Sequence, residues 1–132
     1  MTAAGGAARQ PHVLVVDDEP AVRDLLVPLL EEEGFAVDTA DRGDAALRAL
    51  GAGLYDLVLL DVRLPGPDGI SVLAGGRALQ ADAQFILMTG HASVDAAVEA
   101  MRLGAFDYVR KPFHVDELLA TCERALGERA LR

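Results

Sequence analysis

Short apolar runs alternate with helix-patterned stretches five times along this 132-residue chain, and that alternation constrains the fold more than any single motif. The runs are His12 to Val16, Phe35 to Ala40, Leu57 to Leu60, Phe85 to Met88 and Phe106 to Arg110. Each is too short for a helix and of the right length for a strand. Strands separated by helices pair in parallel, because each helix returns the chain across the sheet. The predicted fold class is therefore α/β, a doubly wound five-stranded parallel sheet with helices on both faces.

The helical stretches carry their own start and stop signals. Glu19-Pro20 opens the first, with proline where its missing N–H costs little. Val22, Leu25, Leu26, Leu29 and Leu30 form its apolar stripe, and Gly34 closes it. Pro28 interrupts that stripe. An interior proline costs about 3 kcal/mol and kinks a helix, so the spacing predicts one bent helix rather than two. Asp41-Arg42-Gly43-Asp44 turns into a second helix with Ala46, Leu47 and Leu50 apolar. Leu64-Pro65-Gly66-Pro67-Asp68-Gly69 is a dense cluster of breakers and must be a loop. The next helix, over 70–79, holds Gly75-Gly76. Each glycine costs about 1 kcal/mol against alanine, so this helix is expected to be the least stable. Ser93 caps a fourth helix through Ala96, Ala97, Val98, Met101 and Leu103, ended by Gly104. The last helix covers 115–126.

One domain fills the chain, over residues 11–127. Residues 1–10, small and polar, read as a disordered lead, and 128–132 as a tail or the start of a linker helix. No apolar run approaches the roughly 18 residues of a membrane span, and no signal peptide is evident. A net charge of −9 repels a phosphate backbone and argues against direct nucleic-acid binding. The lone Cys122 excludes an internal disulfide; it reads as buried packing in a cytoplasmic protein.

Chemistry concentrates where the runs end. The first closes on Asp17-Asp18, the third on Asp61, the fourth on Thr89 and the fifth on Lys111. In a parallel sheet those ends share one edge, where open α/β sheets bind ligands. Crowded carboxylates repel unless a cation lies between them, and Mg²⁺ prefers oxygen ligands. Asp61 is also placed to attack phosphorus and form an acyl phosphate. Lys111 brings a compact positive charge, and the Lys111-Pro112 bond is expected to be cis. Plainer roles stand beside these. An Asp pair can end a strand and cap a helix, Asp61 can be only a metal ligand or turn starter, and Thr89 only a β-former.

The ordered motifs Val15-Val16-Asp17-Asp18-Glu19, Leu60 to Gly69, Met88-Thr89-Gly90-His91 and Gly104 to Phe113 resemble the receiver domain of two-component response regulators. The resemblance runs from about Pro11 to Leu126. Its wording is most similar to receivers of the NtrC type, which usually precede a σ54-activating ATPase and a DNA-binding domain. It implies a flavodoxin-like strand order 2-1-3-4-5. It implies that Asp61 takes a phosphoryl group from a sensor histidine kinase. Asp17 and Asp18 would hold Mg²⁺, with Asp61 and the backbone carbonyl of Arg63. Thr89 and Lys111 would contact the phosphoryl oxygens, and Tyr108 would be the aromatic switch. Arg63 and His91 would tune phosphoryl lifetime. The switching surface would be the fourth helix, fifth strand and fifth helix, a possible homodimer face. An output domain beyond Arg132 or a stand-alone receiver are both open.

Other readings of the same residues are an aspartyl phosphohydrolase, a flavin or nucleotide module, and a docking module indifferent to phosphorylation. The first needs an acid two residues after the nucleophile, where Arg63 stands. The second needs a phosphate-receiving loop after the first strand, where Asp17-Asp18-Glu19 would repel phosphate.

Overall fold

The computed structural model describes residues 10–90 and 94–130. Five strands and five helices alternate as β1 (His12–Val16), α1 (Pro20–Glu32), β2 (Ala36–Ala40), α2 (Gly43–Ala52), β3 (Leu57–Asp61), α3 (Gly69–Leu79), β4 (Gln84–Thr89), α4 (Val94–Arg102), β5 (Asp107–Arg110) and α5 (Val115–Ala130). The sheet order is β2-β1-β3-β4-β5, and every pairing is parallel. The predicted fold class and order are both present. α5 continues to Ala130, past the predicted end at Leu126, so 128–130 extend the helix. The readings placed on residues 1–9, His91 and Ser93 lie outside the described residues.

The alternation of side chains along each strand divides the core in two. Leu14, Val16, Val58, Leu60, Phe85 and Leu87 face α2, α3 and α4. Val13, Val15, Leu57, Leu59, Ile86 and Met88 face α1 and α5, where Cys122 is fully buried. With both faces covered, the central strands are apolar at every position between their polar ends, which makes them legible as runs.

α1 runs unbroken through Pro28. Pro28 and Asp24 are both exposed, so the carbonyl that loses its helical donor faces water. Leu25 departs from the predicted stripe and is 47% exposed. The buried direction lies between Leu26 and Leu30, and at about 100° per residue Leu25 is about 120° round from it. At the far end Gly34 takes φ +94°. Its N–H donates to the Glu31 carbonyl while Phe35 N–H donates to Leu30, the paired bonds of a Schellman close. α4 closes in the same way at Gly104.

The glycine pair of α3 has a packing reason. A Cβ on Gly76 would lie 2.9 Å from Leu50 Cδ1 and from the Phe85 ring. The bare backbone lets α3 seat against α2 and β4. Gly69, at the start of α3, is tighter still: a Cβ there would stand within 2.2 Å of the Asp61 carbonyl oxygen, so its contact fixes how β3 ends.

Candidate functional site

Register brings the strand-end residues to one edge. Val16 pairs with Ala40 and Leu60, Asp61 with Met88, and Thr89 with Arg110. Asp17, Asp18, Asp61, Thr89 and Lys111 therefore follow or end neighbouring strands at their C-terminal ends. Lys111 N–H donates to the Thr89 carbonyl at 2.8 Å, tying the close of β5 to that of β4. The Lys111-Pro112 bond is cis, as predicted.

Carboxylate oxygens of Asp17, Asp18 and Asp61 lie within 4.8 Å of one another. Asp17 and Asp61 are buried and Asp18 is exposed, so the pair after β1 divides between core and solvent. Lys111 Nζ reaches into this group, 2.7 Å from Asp17 Oδ2, 3.2 Å from Asp61 Oδ2 and 3.2 Å from Glu19 Oε1. In the sequence Glu19 reads as a helix opener and as part of the acidic Asp17-Asp18-Glu19 run, with no contact to Lys111; its acidity beside Asp18 is the available signal. Arg63 N–H donates to Asp61 Oδ1 at 3.2 Å. Thr89 is 3% exposed, and its hydroxyl donates to the Gly90 carbonyl at 2.8 Å. Tyr108 is 44% exposed on β5.

Burial, and then the Asp17 charge, push the Asp61 carboxyl up to about 6, against the opposing pull of Lys111. Burial would lower the Lys111 ammonium, but Asp17 and Asp61 outweigh it and hold its value above the ordinary one. The lysine thus stays charged among the acids. Even so, three carboxylates contact one ammonium, and Asp18 adds a fourth to the group. Asp17 Oδ2 is buried, and its polar neighbour is the Lys111 ammonium at 2.7 Å. An all-oxygen donor set with more negative than positive charge fits a hard divalent cation, whose charge would relieve the crowding.

Five parallel strands in this order, with acids and a lysine at their C-terminal edge, define a receiver-type α/β domain. Residues 13–123 match the response regulator receiver domain. The chain is 45% identical over 117 residues to the transcriptional regulatory protein FixJ of Bradyrhizobium diazoefficiens, covering 89% of this chain and 57% of that one. It is 40% identical over 115 residues to the DNA-binding transcriptional regulator NtrC of Salmonella typhimurium, covering 87% of this chain and 24% of that one. The crystal structure of NtrX from Brucella abortus superposes with a TM-score of 0.87 at 37% identity, over 93% of this chain and 28% of that one. The chain belongs to the response regulator receiver domain family of two-component signalling, and its NtrC-like wording is matched by NtrC and NtrX themselves. It spans little more than half of FixJ and about a quarter of NtrC. Among the described residues no helix is long and apolar enough to cross a membrane.

Proposed function

We propose that Asp61 is the phosphoacceptor of this receiver. An Asp61 carboxylate oxygen bonds to phosphorus as the P–N bond of a kinase phosphohistidine breaks, its electron pair remaining on the imidazole. Asp17, Asp18 and Asp61, with the Arg63 backbone carbonyl, would hold Mg²⁺, which when bound supplies positive charge for the phosphoryl oxygens. Lys111 pairs with one phosphoryl oxygen. The Thr89 hydroxyl leaves the Gly90 carbonyl for another, and Tyr108 turns inward with it. That is a population shift of the α4-β5-α5 surface, which we assign as the face for a homodimer or an output domain. The acyl phosphate then hydrolyses slowly at a rate tuned by Arg63 and His91. The partners are a sensor histidine kinase and the regulator's own output domain; this domain works in the cytoplasm and makes no direct nucleic-acid contact.

One observation carries this reading: a buried Asp61 and the Lys111 ammonium, 3.2 Å apart at the ends of the two strands that flank β4, in a chain of the receiver family. The phosphohydrolase alternative lacks its acid, because Arg63 occupies that position. Incubation with a small acyl phosphate and Mg²⁺ should add one phosphoryl group per chain. An Asp61→Asn variant labelled as fully as the parent would overturn the assignment. Lys111 is also the chain's single lysine. A [15N]lysine sample therefore gives one amide signal, which should shift on phosphorylation.

A further inference from the structure

Arg23 stands in the first turn of α1, where the exposed N–H groups of a helix make positive charge unfavourable. A guanidinium there needs a reason. Its Nη1 donates to the backbone carbonyl of Asp17 at 2.7 Å, six residues back. That short charge-assisted bond completes the fixing of Asp17. The Asp17 N–H donates to the Ala40 carbonyl at 3.1 Å. Asp17 Oδ1 accepts from Glu19 N–H at 2.9 Å. Its remaining polar atom, Oδ2, faces Lys111 at 2.7 Å. Arg23 is itself anchored to the same turn, because its backbone N–H donates to the Glu19 carbonyl.

From this geometry we infer that Arg23 is a positioning residue for the cation pocket. It clamps the β1–α1 turn so that the Asp17 and Asp18 carboxylates are held ready for a divalent ion. The inference rests on the Mg²⁺ reading given above. Groups that orient metal ligands typically contribute 10–100-fold to metal affinity. Arg23 differs from the usual orienting partner in carrying a positive charge close to the acids. That difference gives its role a sign. By Coulomb attraction alone, removing a nearby positive charge strengthens binding of a cation. Losing the clamp weakens it.

Calorimetric titration with Mg²⁺ separates the two. The samples are the parent chain, Arg23→Met and Arg23→Lys, each first shown to be folded by its urea transition without divalent ions. Arg23→Met keeps the apolar stem but has neither donor nor charge. It should bind Mg²⁺ about tenfold more weakly than the parent. Arg23→Lys retains a charged N–H donor and should fall between them. If Arg23→Met does not fold, Arg23→Leu, which also has neither donor nor charge, replaces it with the same expected loss. A folded Met or Leu variant that binds Mg²⁺ as tightly as the parent, or tighter, overturns the role of Arg23. So does a Lys variant no better than Met. A parent chain that binds no Mg²⁺ removes the cation reading itself; a parent that binds while the variants are unaffected removes only the clamp.

Discussion

Asp61 is held at a cost to the fold. The residue is 6% exposed, and burial followed by the Asp17 charge raises its carboxyl from 3.8 to about 6. A value raised on folding gives a contribution that is present below the ordinary value and lost as pH climbs through the folded one. At neutral pH that contribution is gone, and a crowded buried charge remains. Asp61→Asn should therefore stabilise the protein in the absence of divalent ions by about 1–3 kcal/mol at pH 7. The gain should vanish by about pH 4, where the parent carboxyl is itself neutral. Urea transitions at the two pH values measure both; no gain at pH 7 would mean that Lys111 already compensates the charge. The residues of this cluster were legible because strands bring their last residues to a common edge. The contacts of Glu19 and Arg23 were not. Glu19 stands at the N-cap of the next helix and Arg23 lies in its first turn, so the direction of each side chain depends on where that helix docks.

At the scale of elements, α3 shows how packing reverses a propensity argument. Its two glycines looked like a weakness. For Gly76 the weakness is the condition of close approach, since a Cβ meets Leu50 and the Phe85 ring at 2.9 Å. Gly76→Ala gains about 1 kcal/mol of helix propensity and loses about 1–3 kcal/mol to overpacking, so it should destabilise or be neutral. Gly75 is different. Its nearest obstacle is Leu47 Cδ2 at 3.0 Å, the tip of a flexible side chain that can turn aside. Gly75→Ala should keep most of its gain of about 1 kcal/mol. Thermal unfolding of the two variants gives the comparison, and equal shifts would show that contact with the ring does not matter. Strand and helix limits followed from runs, prolines and glycine closes. Leu25 escaped because an apolar stripe read from spacing does not reveal its own centre.

Across the whole molecule, the edge opposite the site is tied together by polar contacts from several elements. The Tyr55 hydroxyl donates to Asp38 Oδ2 at 2.7 Å, and His12 Nε2 lies 2.9 Å from the same oxygen. The His12 and Tyr55 rings pack at 4.4 Å. Gln80, closing α3, accepts from Tyr55 N–H and donates to the Leu50 carbonyl at the end of α2. Burial, then the Asp38 bond and charge, push the Tyr55 phenol up from 10.0 to about 12. Its neutral form is favoured by the fold, so the contribution holds below the ordinary value and is lost as pH rises through the folded one. Between about pH 10 and 12 the parent should lose about 1–2 kcal/mol that Tyr55→Phe does not lose, the full shift being reduced by solvent screening on the exposed Asp38 side. Parallel urea series across that range would show the parent curve falling toward the variant's. Parallel slopes would place Tyr55 outside the alkaline transition.

The sequence by itself determined the α/β class, the approximate elements and the strand-end residues that form the candidate site. Those are local signals: run length, helical spacing, breakers, and the polar residue that closes each strand. The order 2-1-3-4-5 came from family resemblance, because alternation alone does not say which strands are neighbours. Tertiary structure decided the rest. Asp17 became the buried member of its pair, Lys111 became shared among Asp17, Asp61 and Glu19, and Gly76 became a contact rather than a flaw. Each depends on distances between segments far apart in the chain, set by how helices pack on a sheet within a few tenths of an ångström. Residue order alone does not encode that spacing in a form that can be read one segment at a time.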